Sequence, residues 1–333
     1  MKILSYGEAN IRYTPPGKQL LEQTNQLTYQ ITGTGVNLLA SLGAFGIETY
    51  LLTALPANRI GTMARSQINK YGISDKFIHY KGEFMGSYFV EMGFGERPSM
   101  VTYQNRSESA FCKAETADYP IVEAVRAVDL VHICGITALL NEATYETAIR
   151  LAAEAKKQHK KVYFDFNYRP SLNKDKTTAE IKERYEALLA NSDIVFGGKR
   201  DLFELLEMEQ GEVGADNFEE TVQVFRKRYQ IEALIGTERT YEDGKHYLLG
   251  FIAGEKLQRS MRKEVKTLDR IGAGDAFAAG IIYGDIKQLE TAETLKFAVA
   301  NAILAHTTEG DVPLMSLEAV YRYLEETHQE LIR

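Results

Sequence analysis

At 333 residues, with 44% hydrophobic and 26% charged residues, the chain holds enough apolar material for one large α/β domain with an appendage, or for two ordinary domains. A net charge of −7 argues against nucleic acid or an anionic membrane surface as the main partner, yet leaves room for a local basic pocket around a small anion. Two cysteines, Cys112 and Cys134, form no CxxC and join no histidine cluster, so a disulfide framework or a protein-built metal site is not expected and a reducing cytoplasm is. No apolar run approaches the length of a membrane span, and "MKILSYGEANIR" is apolar too briefly, before Glu8 and Arg12, for a secretory signal.

In chain order, "KILSY" (2–6) reads as a strand. "RYTPPGKQLLEQTNQLTYQIT" (12–32) follows, with Pro15, Pro16 and Gly17 ahead of polar–apolar alternation. "ETYLLTAL" (48–55) is the next strand. "GSYFVEMGFGERPSMVTYQNR" (86–106) reads as a hairpin turning at Gly93–Pro98. "LVHIC" (130–134), "KVYFDF" (161–166), "DIVF" (193–196) and "IEALI" (231–235) complete the apolar runs. Between the first two of these, "ATYETAIRLAAEAKKQH" sets Tyr145, Ala148, Ile149 and Ala152 on one helical stripe. Strands spaced by helices imply a parallel sheet covered on both faces, with ligands bound beyond the carboxyl ends of its strands. The segments 12–32 and 86–106 break this rhythm as β-like insertions, either lids over a ligand-binding edge or plain edge hairpins.

The chemistry concentrates in "LDRIGAGDAFAAGIIYG" (268–284). Gly272 and Gly274 let the backbone approach an oxyanion, and a helix from about Asp275 directs its free N–H groups toward it. A carboxylate beside a phosphate site repels the ligand unless it has its own task. Asp275 has one as a general base, taking the proton of an incoming hydroxyl while the amides hold the phosphoryl group. The competing possibility is that Asp275 merely caps its helix. The pattern is not a dinucleotide fingerprint, because Phe277 stands where GxGxxG needs glycine, and no GK[ST] follows for a Walker A loop. On the helix behind Asp275, Phe277, Gly280, Ile281 and Gly284 share a face, and the Gly280/Gly284 ridge permits close packing.

These residues resemble the GAGD signature of the ribokinase-like (PfkB) carbohydrate kinases. Within that family the chain is most similar to kinases of 2-keto-3-deoxygluconate, through "GEANIRYTPPG" (7–17), "ALPANRIGTMARSQINKYGI" (54–73), "GSYFVEMG", "RPSMVTY", "FDFNYRP" (164–170) and "HTTEGD" (306–311), in order along nearly the whole length. The resemblance implies a Rossmann-like three-layer α/β/α fold with a small β-sheet lid, the core being 1–8, 32–80 and 108–333 and the lid 9–31 and 81–107. It implies ATP with Mg²⁺, an anion hole at Gly272, Ala273 and Gly274, and Asp275 as base. It places Gly33, Tyr88, Tyr103, Asn105, Arg106, Arg169 and Asp311 against a sugar acid, Arg169 offering its carboxylate a planar fork. Tyr88 and Tyr103 are also explained as aromatics packing across a hairpin, and Arg169 as a surface ion pair. Gly198, Lys199, Gly236 and Asn301 fall on the nucleotide side. A homo-oligomer is implied, with Phe89, Met92, Phe94 and Met100 either pairing with a second subunit's lid or buried under the protein's own loops.

Several positions depart from the family's pattern. Thr32 precedes Gly33 where a second glycine is usual. Asn105 occupies the place of a substrate arginine, with Arg106 one residue later, so Arg106 reaches the same face only if a bulge or loop lies there. The N-x-x-E of the nucleotide side becomes Gly198 and Asp201. In "GTERTYEDG" (236–244), expected as a glycine-containing turn, Arg239 replaces a common glycine. The leading expectation is an ATP-dependent kinase of the terminal hydroxyl of 2-keto-3-deoxygluconate. The alternatives are a kinase for another sugar or nucleoside, and a weakened sugar-binding or regulatory homologue.

Overall fold

A strand buried on both faces needs side chains that shed water in both directions, and the apolar runs meet that need. The computed structural model describes residues 1–208 and 218–325. In chain order its strands are β1 (Lys2–Tyr6), β2 (Asn10–Thr14), β3 (Thr28–Thr32), β4 (Glu48–Leu55), β5 (Ile73–Ser74), β6 (Ile78–Tyr80), β7 (Ser87–Glu91), β8 (Met100–Gln104), β9 (Leu130–Cys134), β10 (Lys161–Asp165), β11 (Ile194–Phe196), β12 (Ala233–Glu242), β13 (Lys245–Ala253), β14 (Leu257–Arg259) and β15 (Lys263–Val265). The central sheet is ordered β14-β13-β12-β11-β10-β9-β1-β4-β5, with β15 beside β13 and β6 beside β4. Every pairing from β12 across to β5 is parallel, and β13 to β15 form an antiparallel edge.

Alternation along the strands feeds two cores. Ile3 of β1 and Tyr163 of β10 join one, while Leu4, Tyr6, Val162 and Phe164 join the other. Helices Thr34–Ala44, Arg59–Lys70, Ala273–Lys287 and Thr291–Ala305 cover the Ile3 face, and Glu142–Lys157, Thr178–Leu189 and Phe218–Tyr229 cover the opposite one. This is a three-layer α/β/α architecture. Helix Glu142–Lys157 starts at Asn141, whose side chain accepts from the Thr144 amide at 2.9 Å. It buries Ala148 and Ala152 as the spacing implies, with Tyr145 and Ile149 at the stripe's margin. Gly280 and Gly284 do permit close packing. A Cβ at Gly280 would lie 2.5 Å from the Ala298 Cα, and one at Gly284 would lie 2.5 Å from Thr294.

Residues 236–244 differ from expectation. Instead of turning after Gly236, β12 continues to Glu242 and pairs residue by residue with β13; the turn falls at Asp243–Gly244, both at positive φ. The stretch carries no apolar run because this hairpin projects past the doubly covered sheet into solvent, where polar strands are stable.

A second sheet, ordered β3-β2-β7-β8, is built from 10–32 and 87–104. Between β7 and β8 the chain reverses through paired Phe94 and Arg97 backbones, at 2.9 and 3.1 Å. Tyr88 and Tyr103 are direct cross-strand partners with ring centroids 6.0 Å apart. Of the four apolar residues of this segment, Phe94 and Met100 are exposed; Phe89 is half-buried on Tyr13, and Met92 is buried beside the Arg12 guanidinium. Among the described residues no helix is long and apolar enough to cross a membrane.

Candidate active site

Helix Ala273–Lys287 begins at the carboxyl edge of the central sheet, and Gly272 is its N-cap with φ of +84°. A Cβ there would lie 1.8 Å from the Asp311 carbonyl oxygen, so only glycine closes this turn. Gly274 is different: a Cβ at this position would meet nothing within 4 Å, so its bareness keeps open the space in front of the helix. Asp275 is the third residue of the helix and makes no capping hydrogen bond. Its Oδ2 accepts from Asn37 Nδ2 at 2.7 Å, and its carboxyl group borders a cleft of about 800 Å³. Burial pushes the Asp275 carboxyl up to about 8; Asn37 and Arg169 oppose the rise, while Asp165 and Asp311 add to it. Among the described residues no ion pair holds it.

The same cleft is bordered by Gly33, Tyr88, Tyr103, Arg106, Arg169, Gly198, Lys199, Gly236, Gly272, Gly274 and Asp311, which the structure brings together from both sheets. Ala273 is buried at the first turn, beneath this surface. Two expected residues lie elsewhere. Asn105 is exposed at φ of +55°, just past the end of β8, and does not line the cleft. Because the strand ends at Gln104, face alternation no longer applies, and the left-handed Asn105 lets Arg106 turn inward. Asn301 is fully buried, and its amide donates to Ser41 Oγ at 3.1 Å and to the Ala276 carbonyl at 2.8 Å. Asn301 thus joins helix to helix and is not at the cleft.

Arg106 is not free. Its Nε and Nη2 donate to Glu8 Oε2 at 2.9 and 2.5 Å, and Ser109 donates to the other Glu8 oxygen at 2.8 Å. Arg12 is buried between Asp269, at 2.7 Å, and Asp311. Tyr88 donates to the second Asp311 oxygen and accepts from Thr32 at 2.6 Å. Both Asp311 carboxylate oxygens are therefore occupied by the chain's own groups. They fasten the small sheet to the turn at Gly272. Burial raises the Asp311 carboxyl, with Arg12 opposing.

Arg169 makes no direct contact with an acid among the described residues. It is exposed on the cleft wall, donating only a long 3.4 Å bond to the Tyr168 carbonyl and making no ion pair among the described residues. The surface-pair alternative thus lacks a partner. Near it, burial pushes Asp165 up to about 7, with Asp201 adding and Arg169 opposing, and Asp201 up to about 6. Asp201 Oδ2 accepts from the Gly198 amide at 2.8 Å. Asn37, Glu8, Arg12 and Asp269 stand inside or beside quoted motifs, yet their roles emerge only from partners far along the chain.

Residues 1–316 match the family described as pfkB family carbohydrate kinase. The chain belongs to the pfkB family of carbohydrate kinases. It is 26% identical over 330 residues to a 2-dehydro-3-deoxygalactonokinase of Haloferax volcanii, covering 97% of this chain and 96% of that protein. A structure described as a candidate 2-keto-3-deoxygluconate kinase from Enterococcus faecalis is 44% identical, with a TM-score of 0.96 over 100% of this chain and 99% of that one. The 2-dehydro-3-deoxygluconokinase of Thermotoga maritima is 26% identical, with a TM-score of 0.90 and 97% of both chains covered. As a pfkB carbohydrate kinase, the protein is an enzyme that phosphorylates a sugar.

Proposed function

We propose that the chain phosphorylates the terminal hydroxyl of a 2-keto-3-deoxy sugar acid, with 2-keto-3-deoxygluconate as the first choice and ATP as donor. The observation that carries this reading is Asp275: a buried carboxyl with one neutral partner, facing open space beside a glycine-capped helix start, in a cleft that Arg169 also lines. Asp275 takes the hydroxyl proton as the sugar oxygen attacks the terminal phosphorus. An O–P bond forms, the bond to the diphosphate breaks, and the Gly272–Gly274 amides receive the charge on the transferred group. Arg169 pairs with the sugar acid's carboxylate, and Tyr88 and Tyr103 cover the sugar from the small sheet, which acts as a lid over 9–31 and 81–107.

Among the described residues no cluster of three or more histidine, cysteine, aspartate or glutamate side chains forms a metal cage. A magnesium ion would then be carried mainly on nucleotide phosphates, and Asp201 and Asp165, which line the cleft, would accept hydrogen bonds from its bound water. Such an ion would neutralise phosphate charge. Pairing of two copies through the exposed Phe94 and Met100 edge, and residence in the cytoplasm, belong to the same proposal. The test is acceptor-dependent ADP release with 2-keto-3-deoxygluconate, its galactonate epimer and a neutral hexose. Turnover with the acids and not the hexose supports the reading; preference for the hexose removes it.

A further inference from the structure

Arg239 and Arg270 both border the cleft, at the end formed by Gly236, Thr237 and Gly272. Arg239 projects from β12 where it leaves the parallel sheet, and Arg270 lies two residues ahead of the Gly272 turn. Two residues of chain span at most about 7 Å, so the Arg270 backbone cannot be far from the anion-binding amides. Neither side chain makes a hydrogen bond or ion pair among the described residues. Of the acids around them, Asp269 and Asp311 hold Arg12 and Glu238 pairs with Arg259, while Asp275 accepts from Asn37 and pairs with neither arginine. His306, beside both arginines, is neutral, held low at about 4 by burial and by their charge. The arginines also repel each other; loss of water and Arg270 together depress the Arg239 guanidinium to about 10.

Two like charges kept side by side without a counter-ion are unfavourable until something anionic bridges them. Guanidinium forks match phosphate oxygens in geometry as well as charge. We propose that Arg239 and Arg270 form a two-arginine clamp on the terminal phosphates of the phosphoryl donor, at the same end of the cleft as the Gly272–Gly274 amides. The inference rests on the kinase reading for its donor. It adds residues that carry charge where this chain has Gly198 in place of the asparagine and Arg239 in place of a glycine common among related kinases. The clamp does not exchange protons. It holds the phosphates while the sugar oxygen displaces the diphosphate, and it offsets charge on the leaving group.

The test uses the full chain and inorganic tripolyphosphate, whose binding is read by calorimetry independently of turnover. Arg239→Gly is expected to weaken tripolyphosphate by about 10-fold, and Arg239→Ala/Arg270→Ala by about 100-fold, with a shallower salt dependence. Melting temperature should change little, because neither side chain packs in the core, and the KM for the sugar acid should hold while kcat falls. Unaltered tripolyphosphate affinity in a double variant that melts normally overturns the clamp. If the wild type turns over no sugar acid yet loses tripolyphosphate on these substitutions, the clamp stands and the sugar-acid reading falls.

Discussion

Asn37 and Asp275 lie 238 positions apart in the chain and meet at 2.7 Å, the asparagine amide donating to the carboxylate. A donor to the charged form favours that form, so Asn37 holds down a carboxyl group that burial drives up to about 8. For a base, only the ionised fraction works, and kcat/KM reports ionisation in the free enzyme. Wild-type kcat/KM should therefore fall on the acid side of about 8. In Asn37→Ala the fall should move to higher pH, so that activity lost at about pH 7 returns above about pH 9. A uniform loss across the pH range would instead mean that Asn37 only shapes the pocket.

Asp275→Asn separates chemistry from binding. Removal of a general base costs about 10²- to 10⁴-fold in kcat, whereas donor affinity, set by amides and cations, should be nearly unchanged. Near-normal turnover would end the assignment. The same variant carries a stability signature. A carboxyl raised from 3.8 to about 8 in the folded state binds its proton more tightly there than in the unfolded chain, so its contribution is intact below 3.8 and is lost as pH rises toward 8. Asparagine does not titrate. The melting temperature of Asp275→Asn relative to wild type should thus climb steadily across that window, and a difference independent of pH would contradict the burial of the charge.

Gly272 and Gly274 look alike in sequence and differ in what they permit. Gly272→Ala must place a methyl group against the Asp311 carbonyl while holding φ at +84°, which should cost several kcal/mol and lower the unfolding midpoint in urea. Gly274→Ala meets no protein atom within 4 Å, so its melting temperature should match wild type within about 2 °C. Its loss should appear instead in kcat and in phosphate binding. Equal destabilisation by both would show that Gly274 also serves the fold.

This contrast marks what a sequence can disclose. "KILSY", "ETYLLTAL" and "LVHIC" are strands over the same residues in the structure, because burial on both faces writes itself as an uninterrupted apolar run. The glycine turn is legible for a related reason: a backbone that must pass close to other atoms admits only one residue type. The strand through Thr237–Glu242 carries no such mark, since it runs past the covered sheet and its side chains are half-buried or exposed. Asn301 illustrates the opposite failure. A lone amide in a small, apolar helix suggests a ligand contact, but whether it points to a cleft or to Ser41 depends on a helix packed 260 positions away. Glu8, Arg12 and Asn37 take their meaning from equally distant partners, which spacing along the chain cannot reveal.

Arg12 is the clearest of these long-range ties. It sits almost without solvent between Asp269 and Asp311, and Asp311 also accepts from Tyr88. Arg12→Met keeps the stem and removes the charge, leaving buried carboxylates that face each other uncompensated. A loss of about 3–5 kcal/mol in urea unfolding is expected, with partial recovery as pH falls, because burial already raises the Asp311 carboxyl and its protonation removes the uncompensated charge. Full stability at neutral pH would mean that water replaces the guanidinium and that the small sheet is fastened by other contacts.

Arg169 and Arg106 divide the cation role differently from their common side-chain type. Arg106 already spends its charge on Glu8 through two N–H bonds, whereas Arg169 faces the cleft without an acid. A substrate carboxylate therefore gains more from Arg169, since pairing there breaks no existing bridge. Arg169→Ala should raise KM for a sugar acid by about 10- to 100-fold, and Arg169→Lys should restore only part of it because an ammonium group lacks the planar fork. The KM for a neutral hexose, where one is accepted at all, should be unaffected. Arg169 is exposed, so neither substitution should shift the melting temperature, and any change in KM can be assigned to the cleft. If Arg169→Ala leaves the acid's KM in place while Arg106→Ala raises it, Glu8 must release its arginine on binding. The carboxylate would then lie under the small sheet instead of beside β10.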